Sequence, residues 1–352
     1  MNLGGVSLLY HLCVDAPANE VAALLRSAAD KALAEYGLAN CGKVLDDPRV
    51  IGPIAAKVPK AAKAAITAIK ATGGPVIHLS SAFDANCDVD TPQVAIPVPI
   101  DPATVRGALA GALLNDLLEQ ETVSYGSENA GIPFVNLVTL SGTGRRARKS
   151  KSAMRGHTDG VCFPFPGTRD GVVQRMAPAP DWVGLICLRN PHAVATRVVP
   201  LQKLVASLSA QQLKALASPE FVIQAQGSFL EGMRNILGDA HIVDGGALLH
   251  WEGTSWLLRF SHSNVTVAPE GSEIAASALH AIEEYCANNS EAIVLSPGDL
   301  LWVNNRQAIH GRSEVGAAVG GNARWLLRTY GVRTSLVLGD QRYTERPFQL
   351  FP

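Results

Sequence analysis

The sequence predicts an α+β fold, with an N-terminal helical layer on a strand-rich body. Three observations predict it. Residues 18–36, 54–72 and 102–121 carry apolar side chains at helical spacing. After residue 122 the texture changes to short β-branched and aromatic runs separated by Gly, Pro and Asn. No internal repeat interrupts that order. In a chain of 352 residues, helices followed by strands read as one domain with a β-sandwich or barrel core. The layout is a helical layer over 1–121, a strand-rich core with helical insertions over 122–335 and a tail over 336–352.

Residues 18–36 alternate Ala and Leu with Asp, Glu, Arg and Lys, and stop at Gly37, as an amphipathic helix should. Residues 54–72 bear Lys57, Lys60, Lys63 and Lys70, which read as the solvated face of an ordinary helix rather than a membrane or nucleic-acid surface. The segment from Pro75 to Pro102 is rich in proline and turns. Asp101 suits an N-cap and Pro102 the first helical position of the helix over 102–121. The strand candidates are 134–140, 182–188, 195–199, 255–260, 292–295, 299–303 and 324–332, with helices at 209–217 and 271–288.

Charged residues are 17% of the chain, against the ~25% usual in soluble proteins. Hydrophobic residues make up 47% and the mean hydropathy is +0.13. A surface lean in charge favours self-association, so a homo-oligomer is one reading. The formal net charge of −1 gives no field for a nucleic acid or an acidic lipid surface. The cysteines, Cys13, Cys41, Cys87, Cys162, Cys187 and Cys286, include no C-x-x-C pair and read as reduced thiols. The apolar run Val6–Tyr10 lacks a preceding basic segment, and no stretch approaches the ~20 apolar residues of a membrane span. A cytoplasmic protein is the expectation.

His157-Thr158-Asp159 and the distant His310 carry the chemistry. Two imidazoles and a carboxylate are the ligand set of a mononuclear non-haem iron(II) site with open positions. Residues i and i+2 of a strand share a face, so one strand could present His157 and Asp159 together. Ser141–Arg155 is Gly-, Ser- and Arg-rich and reads as irregular, which puts His157 near a strand end or loop. An H-x-D pair alone is a weak signal, and His250-Trp251-Glu252 is a decoy of similar form. The first pair stands out by its company: Arg324 follows His310 by 14 residues, and Arg328 lies four further on. On a strand the two arginines share a face about 13 Å apart and point into the cavity that His310 lines. Arginine forks suit carboxylates, and buried arginines need anions.

Several segments resemble the iron(II)/2-oxoglutarate oxygenases, within them the clavaminate synthase-like group related to TauD and TfdA. They are 181–190 (DWVGLICLRN), 127–131 (SENAG), His310-Gly311-Arg312 and 324–328 (RWLLR). The resemblance covers roughly residues 120–335. It implies a double-stranded β-helix (jelly roll) with iron at one mouth, His157, Asp159 and His310 as its ligands, and 2-oxoglutarate and O2 as co-substrates. By the same resemblance, Arg324 binds the distal carboxylate of 2-oxoglutarate and Thr196 helps hold it. Arg328 meets the co-substrate or the substrate's carboxylate, and Asn129 faces the substrate. The expected reaction is hydroxylation of an unactivated C–H of a small amino-acid-like molecule, with succinate and CO2 formed; desaturation or cyclisation are its variants.

Three departures qualify the match. The second ligand is Asp159, where close relatives of clavaminate synthase have Glu; a carboxylate there disfavours a halogenase. Gly167–Pro180 is an extra Gly- and Pro-rich piece that reads as a lid. Arg259–Asn264 stands where arginine- and ornithine-type hydroxylases have acids, which argues against a basic amino acid substrate. The basic run Arg145, Arg146, Arg148, Lys149, Lys151 and Arg155 reads as a solvated loop, an anionic-substrate clamp or a carrier-protein docking patch. The rival from another class is a non-catalytic jelly-roll binding protein whose histidines are structural.

Overall fold

The structure is a computed structural model, and it describes residues 16–71, 74–168, 173 and 175–352. The run Val6–Tyr10, Cys13, residue 72 and part of Gly167–Pro180 lie outside the described residues.

The first third is helical: α1 (Ala16–Tyr36), α2 (Leu38–Cys41), α3 (Gly52–Ala55), α4 (Lys60–Ala71) and, beyond β1 (Val76–Leu79), α5 (Pro102–Leu117). The single helix expected over 54–72 is two, because Pro59 excludes helical conformation from the residue before it. The lysines of α4 are solvated while Ala62, Ala65, Ile66 and Ile69 are buried, as a plain amphipathic helix requires. Asp101 caps α5, accepting from the Ala103 N–H at 2.9 Å, and the Thr104 hydroxyl accepts from the Asp101 N–H at 3.1 Å. Such a cap contributes about 1 kcal/mol.

The strand-rich body continues with β2 (Glu121–Tyr125), β3 (Val135–Val138), α6 (Arg145–Lys151), β4 (Met154–His157), β5 (Trp182–Arg189) and β6 (Ala195–Pro200). It runs on through α7 (Leu201–Ser207), α8 (Ala210–Leu216), β7 (Phe221–Gln224), α9 (Leu230–Leu237), β8 (Ile242–Gly246), β9 (Leu249–Glu252), β10 (Ser255–Leu258) and β11 (Val265–Val267). Last come α10 (Glu273–Asn289), β12 (Glu291–Val294), β13 (Leu300–Asn304), β14 (Ala308–Arg312), β15 (Trp325–Val332) and β16 (Gln349–Leu350). Among the described residues no helix is long and apolar enough to cross a membrane.

The expectation of a barrel is corrected by the pairing. The major sheet has the order β1-β13-β5-β15-β2-β16, with β3 also on β15, and the minor sheet the order β12-β6-β14-β4. Neither path returns to its first strand, so the body is a mixed α/β structure of open sheets. Strand alternation sorts the side chains into two cores. Leu185 and Cys187 of β5, Leu301 and Val303 of β13, and Leu326 and Tyr330 of β15 join Val198 of the minor sheet in an inner core. Ile186, Leu188, Leu300, Trp302, Trp325 and Leu327, from the other face of the same strands, pack against the helices.

Helix α5 is apolar on nearly every side because it lies between the outer helices and the major sheet. Gly107 and Gly111 let it approach the sheet: a Cβ there would sit 2.8 Å and 2.9 Å from Ile186. Valine at Gly107 is therefore expected to cost about 1–3 kcal/mol through overpacking. Thermal melting checks this; an unchanged midpoint would contradict the close approach.

Candidate metal centre and substrate site

β4 and β14 are antiparallel neighbours, and His157 is the register partner of His310. A separation of 153 residues in sequence becomes 4.5 Å between ring centroids. Asp159 lies just beyond the end of β4, in a turn, so strand alternation is not what aims it. Its Oδ1 is 3.5 Å from His157 Nε2 and its Oδ2 is 3.9 Å from His310 Nε2. One ligand atom from each of the three residues lies within 4.8 Å of the others. Ligands about 2.1 Å from a shared ion lie about 3 Å or more apart, so the set fits a single metal.

His157 Nδ1 lies 3.1 Å from the Arg155 carbonyl. A carbonyl only accepts, so Nδ1 carries the proton and Nε2 keeps its lone pair for a metal. Burial, then the charge of His157, push the His310 imidazole down to about 3 against the pull of Asp159, leaving it neutral. Burial would raise the Asp159 carboxyl, but the neighbouring His157, His310 and Arg328 hold it below the usual carboxylate range. A neutral His310 and an ionised Asp159 are in the protonation states that metal binding needs.

Thr196 of β6 is buried and is the register partner of Arg312, while Val198 is that of His310. Directly paired residues share a face, so Thr196, His310 and Arg312 all face the inner core. Arg324 immediately precedes β15, in phase with Leu326, Arg328 and Tyr330, and is 4% exposed. Its Nε is buried without a partner, and among the described residues it forms no hydrogen bond or ion pair. Burial, then the nearby Arg312, lower its pKa to about 10. Arg312 donates from Nη2 to the carbonyls of Lys149, Ser150 and Ser152 at 2.9–3.2 Å, which holds the end of α6. That helix occupies part of the stretch expected to be irregular.

Arg328 is engaged within the protein. Its Nη1 and Nη2 donate to the two carboxylate oxygens of Glu128 at 2.8 and 2.7 Å. Its guanidinium also lies 4.2 Å from the Tyr330 ring centroid. Burial opposes its charge, yet Glu128 and Tyr330 raise its pKa above the ordinary value. The pair is within electrostatic reach of Asp159. Glu128 was legible only as part of a motif; no spacing signals that it meets a residue 200 positions away. Asn129 follows it, half-buried, with φ +47°, and Ala130 has φ +55°. Left-handed conformation at two successive non-glycine residues is strain of the kind held at binding sites.

His250 of the decoy pair stacks on Phe165, with centroids 5.3 Å apart. Among the described residues the only metal-competent cluster is the one at His157, Asp159 and His310.

The sequence profile of the taurine catabolism dioxygenase TauD, TfdA family matches residues 109–330. Among characterised proteins, an L-lysine 3-hydroxylase of Catenulispora acidiphila is 24% identical over 226 residues, 62% of this chain and 57% of that one. An L-asparagine oxygenase of Streptomyces coelicolor is 31% identical over 159 residues, 43% of each chain. The matches thus span about half the length of these relatives. Among solved structures, an asparagine oxygenase in complex with Fe(II), 2S,3S-3-hydroxyasparagine and succinate superimposes with a TM-score of 0.75 at 20% identity, over 97% of this chain and 99% of that one. The non-haem iron oxygenase OrfP, in complex with Fe, succinate and (3S)-hydroxy-L-Arg, gives 0.73 at 20% identity, over 96% and 98%. The family profile covers more than half of the sequence and includes all three metal-competent residues, so this chain belongs to the taurine catabolism dioxygenase TauD, TfdA family.

Proposed function

We propose that the protein is an iron(II)- and 2-oxoglutarate-dependent oxygenase that hydroxylates an unactivated C–H of a small free amino acid, and that its two packed sheets are a jelly roll. The observation that carries the reading is the triad of His157, Asp159 and His310 with a buried, partnerless Arg324 on the same inner face. A guanidinium is not left buried without an anion at no cost, so the site calls for a carboxylate ligand. The relatives named above point the same way: two are named for lysine and asparagine, and OrfP is seen with (3S)-hydroxy-L-Arg.

In this reading His157, Asp159 and His310 hold iron, which with 2-oxoglutarate and O2 supplies the oxidising power and releases succinate and CO2. Arg324 takes the distal carboxylate of 2-oxoglutarate in a forked bond, and the Thr196 hydroxyl supports it. Arg312 adds a second positive charge behind Arg324. The Glu128–Arg328 pair suits a zwitterion: Glu128 receives the α-ammonium and Arg328 the α-carboxylate, with Asn129 beside them. Opening one buried ion pair to form two keeps every charge partnered. The hydrophobic wall around these groups excludes water, and the protein's task is placement.

Residues 259–264 contain no carboxylate, and Arg259 lies 5.1 Å from the Phe165 ring centroid. We therefore favour an uncharged side chain over that of lysine or arginine. A carrier-bound substrate is a second reading, favoured by the exposed Arg145, Arg146, Arg148, Lys149 and Arg155, which form no ion pair among the described residues. Cys41, Cys87, Cys162, Cys187 and Cys286 are in no disulfide, which fits the cytoplasm.

The test is succinate release by the iron-loaded protein across a panel of free L-amino acids. Release that depends on one of them is expected; none with any free amino acid, but release with a carrier-loaded one, would favour the second reading. Glu128→Gln keeps the shape and removes the charge. It is expected to raise the apparent KM for the amino acid about 10–100-fold, the worth of roughly 1.5–3 kcal/mol in a charged hydrogen bond. The KM for 2-oxoglutarate should stay within twofold, and an equal rise in both would put Glu128 outside the substrate site.

A further inference from the structure

The ladder that carries His157 stops there, and the Asp159 carboxylate belongs to a segment with little strand pairing of its own. Backbone bonds from the Phe260 side reach only as far as Thr158, whose N–H donates to the Phe260 carbonyl at 2.8 Å. Beyond it, two side-chain amides take over. The Asp159 N–H donates to Asn305 Oδ1 at 2.8 Å, and Asn305 Nδ2 donates back to the Asp159 carbonyl at 2.9 Å. Gln226 repeats the pattern one residue to either side: its Nε2 donates to the Thr158 carbonyl at 3.0 Å and its Oε1 accepts from the Gly160 N–H at 2.8 Å.

We propose that Asn305 and Gln226 are positioning residues of the metal centre, two carboxamides that stand in for a missing strand and aim the Asp159 carboxylate. Asn305 is 1% exposed and lies in the turn between β13 and β14, five residues before His310. It thus ties the loop of one ligand to the hairpin of another. The same Nδ2 reaches the Pro180 carbonyl at 3.0 Å, the last residue of the Gly- and Pro-rich piece that follows the metal loop. Only a carboxamide fits: Oδ1 meets an N–H while Nδ2 meets two carbonyls, so the two ends cannot exchange. An aspartate of the same shape would set negative charge against both carbonyls.

This rests on the metal-centre reading and is tested without turnover, by titrating Co(II) into the metal-free full-length protein under anaerobic conditions and following its visible absorption. Asn305→Ala and Gln226→Leu are each expected to weaken Co(II) about 10–100-fold, as loss of groups that orient metal ligands does elsewhere. Asn305→Asp should fail to restore affinity. Hydrogen exchange at the Asp159 and Gly160 amides should quicken in the matching variant. The control is Asn136→Ala, another buried carboxamide, which accepts from Trp325 Nε1 at 2.9 Å and donates to Pro97 O at 2.9 Å. It should lower the melting temperature and leave Co(II) affinity unchanged. If Asn305→Ala does not fold, Asn305→Ser takes its place. Parent-like Co(II) affinity in the Asn305 and Gln226 variants, or an equal loss in Asn136→Ala, overturns the assignment. A parent protein that binds no Co(II) overturns the metal centre itself, which the titration distinguishes at its first step.

Discussion

Replacing His310 by alanine is expected to lower substrate-dependent succinate formation by about a thousandfold or more, since a bound metal contributes several kcal/mol to the barrier and each 1.36 kcal/mol is tenfold. In the proposed site His310 is the ligand that closes the set. It sits mid-strand in β14, Ile309 and Ala308 before it are buried, and its register partner is His157. An alanine there leaves an imidazole and a carboxylate 3.5 Å apart, too few to hold iron at micromolar free metal. The strand should survive, because the backbone pairing of β14 with β6 does not use the ring. Metal content after loading, together with succinate assays, checks this; a His310→Ala protein that still turns over would contradict the site.

The second large effect has two opposite signs. Arg324→Met is expected to weaken 2-oxoglutarate binding about 30-fold to 5,000-fold, the equivalent of roughly 2–5 kcal/mol for truncating one partner of a buried charge pair. In the ligand-free protein the same change should be neutral or stabilising. There Arg324 is buried beside Arg312 with no carboxylate among the described residues, and a methionine of similar length fills the space without a charge. A ligand-free melting temperature at or above the parent's, combined with lost co-substrate affinity, is the expected pattern. A variant that melts far lower while binding 2-oxoglutarate normally would mean that Arg324 has a structural role. The ordinary surface arginine has neither signature.

Much of the architecture was legible because it depends on local periodicity. The strands over Trp182–Arg189, Ala195–Pro200 and Trp325–Val332 are apolar or alternating runs bounded by turn residues. The start of α5 was legible because Asp101 and Pro102 act within one turn. The short strands over Val76–Leu79, Leu249–Glu252 and Val265–Val267 were not, since three or four residues make too little pattern and each is held by its partner rather than by its own propensity. Helix α6 was hidden by a charged, Gly-flanked sequence; Arg312, from β14, holds its last carbonyls.

At the site the division is sharper. Residue chemistry alone named two histidines, an aspartate and an arginine as a set, because only certain side chains can hold a metal or a dianion, and that is a property of composition and spacing. Which partner Arg328 takes was beyond it. Glu128 is 200 positions away, and the bidentate bond exists because β15 pairs with β3, Arg328 opposite Val135, and the Ser127–Gly131 turn is folded back upon them. The amides of Asn305 and Gln226 were likewise silent in sequence, since a buried carboxamide has no periodic signature. The identity of the candidate groups is thus inscribed along the chain, whereas their aim is a product of tertiary contacts. Aim depends on hydrogen bonds whose two ends meet only after both sheets have closed on a common core.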